Sequence, residues 1–433
     1  MVADKTFFIQ TLGCKTNQSE SDEISAKLSD RGFNHCSLED SPSFMIINTC
    51  TVTSTADKKV RQFISRAKKA NPQTVLIAAG CSSVFQSQIL KDCGADYVFS
   101  NSEKDKIPDF ITAYSGSGNE GGCNGRKNTV GLNAASVKIA HNRVMVKIQE
   151  GCEQNCSYCI VPYVRGPNRS EKPEIITDRI KEFYSMGFEE VVLTGTHIGK
   201  YDADDGLCGL LDRILDSTKI KRVRLSSVEI NEVDADLINI LKSNPARIAP
   251  HLHIPLQSGS DIILKAMNRR YTADFFRQRV REMCAAIPGV ALTTDVITGF
   301  PGETEDDFLK TLELVEELNF TKTHVFTYSK RNGTAAAVMP GQVESSIKKV
   351  RSRLLRELGN KLRVSFLKEN RGNILDTVCE SFNRLTGISE GTSGNYLRVF
   401  FSTSVEEFEK YESKIVRIKT DKIYNSGLYG KLC

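Results

Sequence analysis

The N-terminal part of the chain alternates short apolar runs with longer segments of helical period. The runs are rich in Phe, Ile and Val, and they lie at Thr6 to Thr11, Phe44 to Asn48, Val75 to Ala79 and Tyr97 to Phe99. The segments between them have the length and the period of helices. Such alternation predicts a doubly wound α/β domain built on a parallel sheet.

A second series of strand-like runs follows further along the chain. The six runs are Val144 to Ile148, Val191 to Leu193, Val223 to Ser227, Leu252 to Leu256, Ala291 to Thr298 and His324 to Tyr328. Helical patterns such as Glu174 to Met186 and Thr304 to Leu318 fill the intervals. Six βα units predict an incomplete, TIM-like (β/α)6 barrel, whose chemistry lies on loops at the carboxyl ends of the strands.

Changes in composition divide the chain further. Between Ser115 and Asn128, Gly, Ser and Asn dominate, which indicates a flexible connection. After a basic helical segment, Ser346 to Glu369, short β-like runs separated by Gly-containing turns predict a small antiparallel β-barrel. We therefore predict an N-terminal domain at 1–114, a linker at 115–136, a barrel domain at 137–369 and a C-terminal barrel at 370–433.

Composition narrows the class of protein. A hydrophobic content of 40% and a charged content of 26% are ordinary for a soluble globular protein, and the net charge of +5 permits an anionic partner without requiring one. No charged-then-apolar leader opens the chain and no uncharged apolar stretch is long enough to span a bilayer, which predicts a cytoplasmic protein. The odd total of thirteen cysteines indicates metal ligands or buried thiols in a reducing compartment, rather than disulfides.

Three of these cysteines form a Cys-x₃-Cys-x₂-Cys pattern directly after the run that begins at Val144: Cys152, Cys156 and Cys159. An iron–sulfur cube normally takes four thiolates, so three can hold a cluster and leave one iron free. A zinc site is the alternative, but such sites usually show two Cys-x₂-Cys pairs or nearby histidines, and the next Cys or His is His197. Because an open metal position is typical of reactive centres, the loop predicts an enzyme.

Three more cysteines occupy equivalent places in the N-terminal domain. Cys14, Cys50 and Cys81 each follow a predicted strand within a few residues. The carboxyl ends of parallel strands lie along one edge of an open sheet, where ligands bind, so these thiols could converge. Burial near the core is the alternative for any one of them. Three cysteines at the same topological position favour a second cluster.

The segment Glu150-Gly-Cys-Glu-Gln-Asn-Cys-Ser-Tyr-Cys resembles the radical S-adenosylmethionine superfamily. This resemblance implies a 4Fe-4S cluster whose free iron is chelated by S-adenosylmethionine. We predict further cofactor contacts around the cluster, mostly from polar groups and glycines that follow the barrel strands, although Ser and Thr there often cap the next helix instead. The predicted contacts are Tyr158, Thr194, Gly195, Thr196, Ser226, Glu229, Gln257, Asp295 and Ile297.

The order of motifs resembles the methylthiotransferase family over nearly the whole chain, with a TRAM-like barrel at its C-terminal end. Thr11-Leu-Gly-Cys-Lys-Thr-Asn and His324-Val-Phe-Thr-Tyr-Ser-Lys-Arg look most like the branch that acts on N6-threonylcarbamoyladenosine in tRNA. The resemblance implies insertion of sulfur and a methyl group at carbon 2 of this adenosine, at position 37 of tRNA. It implies two 4Fe-4S clusters, the one on Cys14, Cys50 and Cys81 carrying the sulfur. It also implies two S-adenosylmethionine molecules per turnover, as radical source and methyl donor.

The partners implied by this resemblance are a tRNA anticodon stem-loop, an external electron donor and a sulfur source, with neither DNA nor a membrane expected. The threonylcarbamoyl carboxylate requires a positive group, for which we predict Arg165 and Arg331, because arginine matches a carboxylate bidentately. Two alternatives stay open. One is a methylthiotransferase that acts on a protein side chain, and the other is a non-catalytic iron–sulfur RNA-binding regulator, for which one cluster would suffice.

Overall fold

A computed structural model describes residues 5–51, 53–116, 143–203 and 205–433. The chain divides into two compact units. Among the described residues, the first unit contains 5–116 together with Gly151–Glu153 and Cys159–Pro167, and the second contains 143–150, Gln154–Tyr158 and the residues from Asn168 to Cys433. Most of the predicted linker at 115–136 lies outside the described residues, and the predicted domain limits stay predictions.

The first unit is built on a parallel five-stranded sheet with the order β2-β1-β3-β4-β5. Its strands are β1 (Thr6–Thr11), β2 (Asn34–His35), β3 (Phe44–Thr49), β4 (Val75–Gly80) and β5 (Tyr97–Phe99). Its helices are α1 (Lys15–Asp30), α2 (Ser54–Ala70), α3 (Cys81–Asp92), α4 (Ile107–Gly116) and α5 (Val161–Arg165). Alternate residues of β3 enter hydrophobic clusters on opposite faces of the sheet. The predicted doubly wound domain is confirmed.

The second unit begins with the barrel strands. They are β6 (Val144–Lys147), β9 (Glu190–Thr194), β10 (Arg222–Leu225), β11 (His251–His253), β12 (Ala291–Thr298) and β13 (Lys322–Thr327). They form two parallel sheets, β10-β9-β6 and β11-β12-β13, which parallel bridges such as Ser227 to His253 join. The six strands thus follow one another in chain order, as predicted for an incomplete (β/α)6 barrel. A short ribbon of β7 (Gln149–Glu150) and β8 (Arg169–Ser170) follows β6.

Helices lie between the barrel strands of this unit. They are α6 (Pro173–Ser185), α7 (Gly206–Ser217), α8 (Ala235–Ser243), α9 (Asp261–Ala266), α10 (Ala273–Ala286), α11 (Glu305–Leu318) and α12 (Ser345–Glu369), the last of which follows β13. The predicted helical segments at Glu174 to Met186 and Thr304 to Leu318 are confirmed to within one residue. No helix among the described residues is long and apolar enough to cross a membrane.

The C-terminal part of the second unit is a closed barrel with the order β14-β15-β16-β18-β17. Its elements are β14 (Ile374–Asn383), β15 (Ile388–Ser393), β16 (Arg398–Ser402), α13 (Val405–Tyr411), β17 (Ile415–Tyr424) and β18 (Gly427–Leu432). The predicted small antiparallel barrel is confirmed, with one exception: β16 and β18 pair in parallel. The reason is that α13 and β17 intervene, and a long connection lets two strands run in the same direction.

Two arginines of β10 donate hydrogen bonds to backbone carbonyl oxygens of the C-terminal barrel. Arg224 donates to the carbonyl oxygens of Ser393 and Gly394, each at 2.9 Å. Arg222 donates to that of Asp376, also at 2.9 Å. Because Arg224 is completely buried, these bonds satisfy a cation that would be costly to leave unpaired.

Candidate iron–sulfur centres

Gly151, directly before the first cysteine of the Cys-x₃-Cys-x₂-Cys loop, is required by the local turn. It has a φ of 81°, and a Cβ there would lie 1.7 Å from the carbonyl oxygen of Pro167. The amide of Cys152 donates to the carbonyl of Gly166 at 3.1 Å. The turn therefore explains why the motif has glycine beside Cys152.

In the second unit, Cys156 faces a buried cation. The Nη1 atom of Arg269 lies 3.4 Å from the sulfur of Cys156, and Arg269 also pairs with Glu229. Burial alone would lower the pKa of Arg269, but Tyr271, Glu229, Tyr158 and Cys156 raise it well above its ordinary value. A permanently charged guanidinium favours the thiolate form of Cys156, which is the form that binds metal.

The middle of the same loop is anchored to the barrel. The amide of Ser157 donates to the carbonyl of Met267 at 3.0 Å, and its carbonyl accepts from the amide of Ala336 at 2.8 Å. The ring of Tyr158 contacts that of Phe300 edge-to-face, with 6.4 Å between the ring centroids. These contacts hold Tyr158 in a defined place, while its contact with the cofactor stays a prediction.

The predicted glycine-containing loop after β9 is also fixed by close contacts. A Cβ at Gly195 would lie 2.7 Å from the carbonyl oxygen of Gln149, so only glycine fits. The side-chain oxygen of Gln149 accepts from the amide of His197 at 2.7 Å and from the hydroxyl of Thr196 at 3.4 Å. Thr194, the last residue of β9, is buried. The close approach predicted for the glycine is thus made to Gln149, and contact with the cofactor stays a prediction.

Two predicted cofactor residues present buried oxygens that have no hydrogen-bond partner among the described residues: Ser226 Oγ and Gln257 Oε1. Gln257 also has a φ of 65°, a left-handed conformation. Its amide donates to the carbonyl of Asp295 at 2.8 Å, and its carbonyl accepts from the amide of Ile297 at 3.0 Å. An unsatisfied buried polar group costs about 1–3 kcal/mol, so both oxygens fit a polar ligand.

The first unit places the other three cysteines at the carboxyl ends of neighbouring strands. Cys14 lies between β1 and α1, Cys50 directly follows β3, and Cys81 is the first residue of α3 after β4. Cys50 and Cys81 are buried and Cys14 is exposed. Because β1, β3 and β4 are adjacent in the sheet, the three cysteines lie along the same sheet edge, and their convergence on one site stays a prediction. A cluster on these residues stays a prediction.

Two asparagines connect the first turn of α1 with the end of β3 beside these thiols. The thiol of Cys14 donates to Asn17 Oδ1 at 3.2 Å. Asn17 donates in turn to Asn48 Oδ1 at 2.8 Å and to the carbonyl of Thr49 at 3.0 Å. Asn48 donates back to the carbonyl of Asn17 at 2.9 Å. The network fixes the backbone that presents Cys14 and Cys50.

Arg165, predicted to bind substrate, is buried in the first unit with 4% of its surface exposed. It donates to Glu20 at 2.8 Å and to Asn17 at 3.0 Å, and Glu20 also pairs with Lys104. Burial raises the pKa of the Cys81 thiol, whereas Arg165 and Lys104 act in the opposite direction. The pKa of Cys81 is raised overall, and the two cations make that rise smaller than burial alone would produce. A role of Arg165 in substrate binding stays a prediction.

The segment after Cys159 and the loop after β13 also make contacts near the cysteines. Ile160 and Val164, which follow Cys159, pack with Cys81 in the first unit. In the second unit, the buried Arg331 lies in the loop after β13, and its carbonyl accepts from the amide of Thr334 at 3.1 Å. The same loop contains Ala336, which binds the cysteine loop as described above.

Sequence reasoning did not identify Arg269, Glu20 or Lys104. Each is a single charged residue in a helix or loop, where a solvated side chain is the ordinary expectation. The sequence did contain a signal for Asn17, because it lies three residues after Cys14 in the segment Thr11-Leu-Gly-Cys-Lys-Thr-Asn. A short polar side chain so close to a predicted ligand cysteine is a candidate for supporting it.

Known proteins are similar to this chain over both units. A family model described as the Radical SAM superfamily matches residues 146–315, and one described as uncharacterized protein family UPF0004 matches residues 6–100. The threonylcarbamoyladenosine tRNA methylthiotransferase MtaB of Bacillus subtilis (strain 168) is 35% identical over 98% of this chain and 96% of its own length. The chain belongs to the radical S-adenosylmethionine methylthiotransferase family. It is an enzyme, a transferase, and not a non-catalytic regulator.

Further relatives of this methylthiotransferase agree on the family but differ in the named substrate. A tRNA-2-methylthio-N(6)-dimethylallyladenosine synthase of Thermoanaerobacter sp. (strain X514) is 33% identical over 96% of this chain and 90% of its own length. A solved radical S-adenosylmethionine methyltransferase from Kitasatospora setae, with cobalamin and a [4Fe-4S] cluster bound, has a TM-score of 0.57 at 13% identity and covers 77% of each chain. That likeness shows the fold. Family membership implies a 4Fe-4S cluster and S-adenosylmethionine.

Proposed function

We propose that this protein inserts sulfur and a methyl group at carbon 2 of N6-threonylcarbamoyladenosine in tRNA, using two 4Fe-4S clusters and S-adenosylmethionine. The observation that carries the proposal is the placement of Cys14, Cys50 and Cys81 at the ends of three adjacent strands. One cluster suffices to cleave S-adenosylmethionine, so a second set of three thiols requires another task. Delivery of sulfur is the task that the family name suggests.

The chemistry requires more than side chains. Carbon 2 of adenine bears an unactivated C–H bond, which general acid–base catalysis does not ionise usefully. When bound, the clusters and S-adenosylmethionine supply three things: the sulfur, the methyl group, and the radical that removes this hydrogen. The protein's own residues bind and orient these groups. Arg269 favours thiolate at Cys156. The buried oxygens of Ser226 and Gln257, which have no hydrogen-bond partner in the described part of the chain, offer acceptors to the cofactor.

The arrangement of the first unit supports transfer between two sets of thiols. Ile160 and Val164, one and five residues after Cys159, pack with Cys81. The third cysteine of one set and the third of the other are therefore joined by a short packed segment of the same compact unit. This packing supports transfer of sulfur from the strand ends toward Cys159.

The choice of adenosine rests on charge. Threonylcarbamoyladenosine carries a carboxylate, whereas dimethylallyladenosine carries an apolar group. Arg331 is a buried cation in the loop that Ala336 ties to the cysteine loop, which suits it to a carboxylate. We further propose that the anticodon stem-loop is the part of tRNA that binds, and that an external electron donor and a sulfur source serve each turnover.

Replacing Arg331 with alanine should lower turnover of threonylcarbamoyladenosine tRNA by about 10- to 100-fold, because a hydrogen bond to a charged group contributes about 1.5–3 kcal/mol. Cleavage of S-adenosylmethionine without tRNA should be unaffected. The matched control is Lys330→Ala, which removes an exposed neighbouring cation. Equal turnover in Arg331→Ala and Lys330→Ala would rule out this role for Arg331.

The function is tested with reconstituted enzyme and two tRNA substrates, one bearing threonylcarbamoyladenosine and one bearing dimethylallyladenosine. Mass spectrometry of digested nucleosides should find a gain of sulfur and methyl in the first substrate. A gain in the second substrate alone would contradict the proposed adenosine. Modification of neither tRNA, together with a mass gain in a cellular protein, would favour the protein-side-chain alternative.

A further inference from the structure

Three neighbouring barrel strands bring together two imidazoles and one carboxylate. His253 ends β11, and Asp295 and His324 are direct partners in the register of β12 and β13. One ligand atom of each residue lies within 4.8 Å of the other two. His253 Nε2 is 3.2 Å from an oxygen of Asp295, and the rings of His253 and His324 meet edge-to-face at a centroid distance of 5.7 Å.

The surroundings of His253 orient it as a ligand. Its Nδ1 atom lies 2.9 Å from the hydroxyl of Thr293. With Nδ1 engaged in that hydrogen bond, Nε2 is the nitrogen directed to Asp295 and able to bind a metal, which is the usual arrangement around metal-binding histidines. The side chains of His253 and Asp295 are 14% and 27% exposed, so the site is lined by protein but open to entry.

The group of His253, Asp295 and His324 lies on the side of the barrel that faces the cysteine loop. Asp295 and Ile297 are two residues apart on β12, so their side chains project to the same face of the strand. Ile297 packs in the hydrophobic cluster that includes Tyr158, the residue before Cys159. Asp295 therefore shares the strand face that packs toward the cysteine loop of the second unit. A histidine–aspartate hydrogen bond alone would require no second imidazole there.

We propose that His253, Asp295 and His324 form a mononuclear site for a divalent transition metal, separate from the iron–sulfur clusters. Two imidazoles and one carboxylate favour Zn²⁺ or Fe²⁺ over Mg²⁺ or Ca²⁺, which prefer oxygen ligands. Three protein ligands leave further positions for water or for an oxygen or nitrogen of a substrate. This site gives Asp295 the role of a metal ligand, and it does not depend on the proposed adenosine.

The test uses the full-length protein after iron–sulfur reconstitution. Zn²⁺ is added, the excess is removed, and bound zinc is measured by mass spectrometry and zinc K-edge X-ray absorption. We expect about one zinc per chain, with nitrogen and oxygen ligands at about 2.0–2.1 Å and no sulfur at about 2.3 Å. Thr293→Val, which removes the partner of His253, should weaken zinc affinity about 10- to 100-fold.

The double variant Asp295→Asn with His324→Gln should lose this zinc, whereas His35→Gln, a histidine of the first unit, should keep it. Unchanged iron and sulfide contents show that each variant is folded. Zinc retained by the double variant would overturn the proposal. So would a wild-type spectrum dominated by sulfur, which would indicate exposed thiols such as Cys284 and Cys433. Absence of bound zinc in the wild type would also overturn it. This last result does not depend on whether any variant folds.

Discussion

Simultaneous replacement of Cys14, Cys50 and Cys81 by alanine is expected to halve the iron of the reconstituted enzyme, from about eight to about four atoms per chain. Formation of 5′-deoxyadenosine should continue, because Cys152 and its two partners are intact. The methylthio product should fall to background, since the proposed sulfur site is gone. Iron and sulfide determination, chromatography of 5′-deoxyadenosine and nucleoside mass spectrometry measure these three quantities.

Two controls define this prediction. Cys93→Ala removes a half-buried thiol that follows α3, away from the strand ends, and it should change none of the three quantities. Cys156→Ala should also leave about four irons, but it should abolish both 5′-deoxyadenosine and product. Eight irons in the triple variant, or loss of 5′-deoxyadenosine from it, would show that the two sets of cysteines do not act as proposed.

The largest effect on stability is expected from Glu190→Gln. The Glu190 carboxylate is fully buried and pairs with Arg222 and, at 2.9 Å, with Arg224. Without that charge, two buried guanidiniums lose their anion, which costs about 3–5 kcal/mol of unfolding free energy. Thermal melting should therefore shift down by several degrees. The control is Glu316→Gln. The Glu316 carboxylate forms an exposed ion pair with Lys361, so its loss should lower the free energy of unfolding by less than about 1 kcal/mol.

The same residue makes stability depend on pH. Burial alone would raise the pKa of Glu190, but the guanidiniums of Arg222, Arg224 and Arg143 lower it from 4.5 to about 2. A carboxyl whose pKa is lower in the folded state stabilises the protein above its unfolded pKa, and this stabilisation disappears as the pH falls from 4.5 toward 2. It amounts to about 3 kcal/mol at neutral pH. The difference in melting temperature between wild type and Glu190→Gln should therefore shrink at pH 3, and a constant difference would refute this account.

Much of the fold follows from local patterns in the sequence. Alternating apolar runs and helical segments predicted the parallel sheets of both units, because the period of a strand or helix is set by residues close together in the chain. The placement of Cys14, Cys50 and Cys81 followed from the same reasoning, since each is adjacent to its own strand. Local patterns do not reveal the direction in which distant strands pair. For that reason the parallel contact of β16 with β18 was missed.

By itself, the sequence determined the multidomain α/β type of architecture, the strand ends at which both sets of cysteines lie, and the family. Only the tertiary structure decided which charges surround the thiols. Arg165 meets Glu20 across 145 residues, and Arg269 meets Cys156 across 113. Asp295 and His324 become neighbours through the register of two strands. Burial and long-range pairing create these contacts, and both depend on how whole elements pack, which no local period encodes.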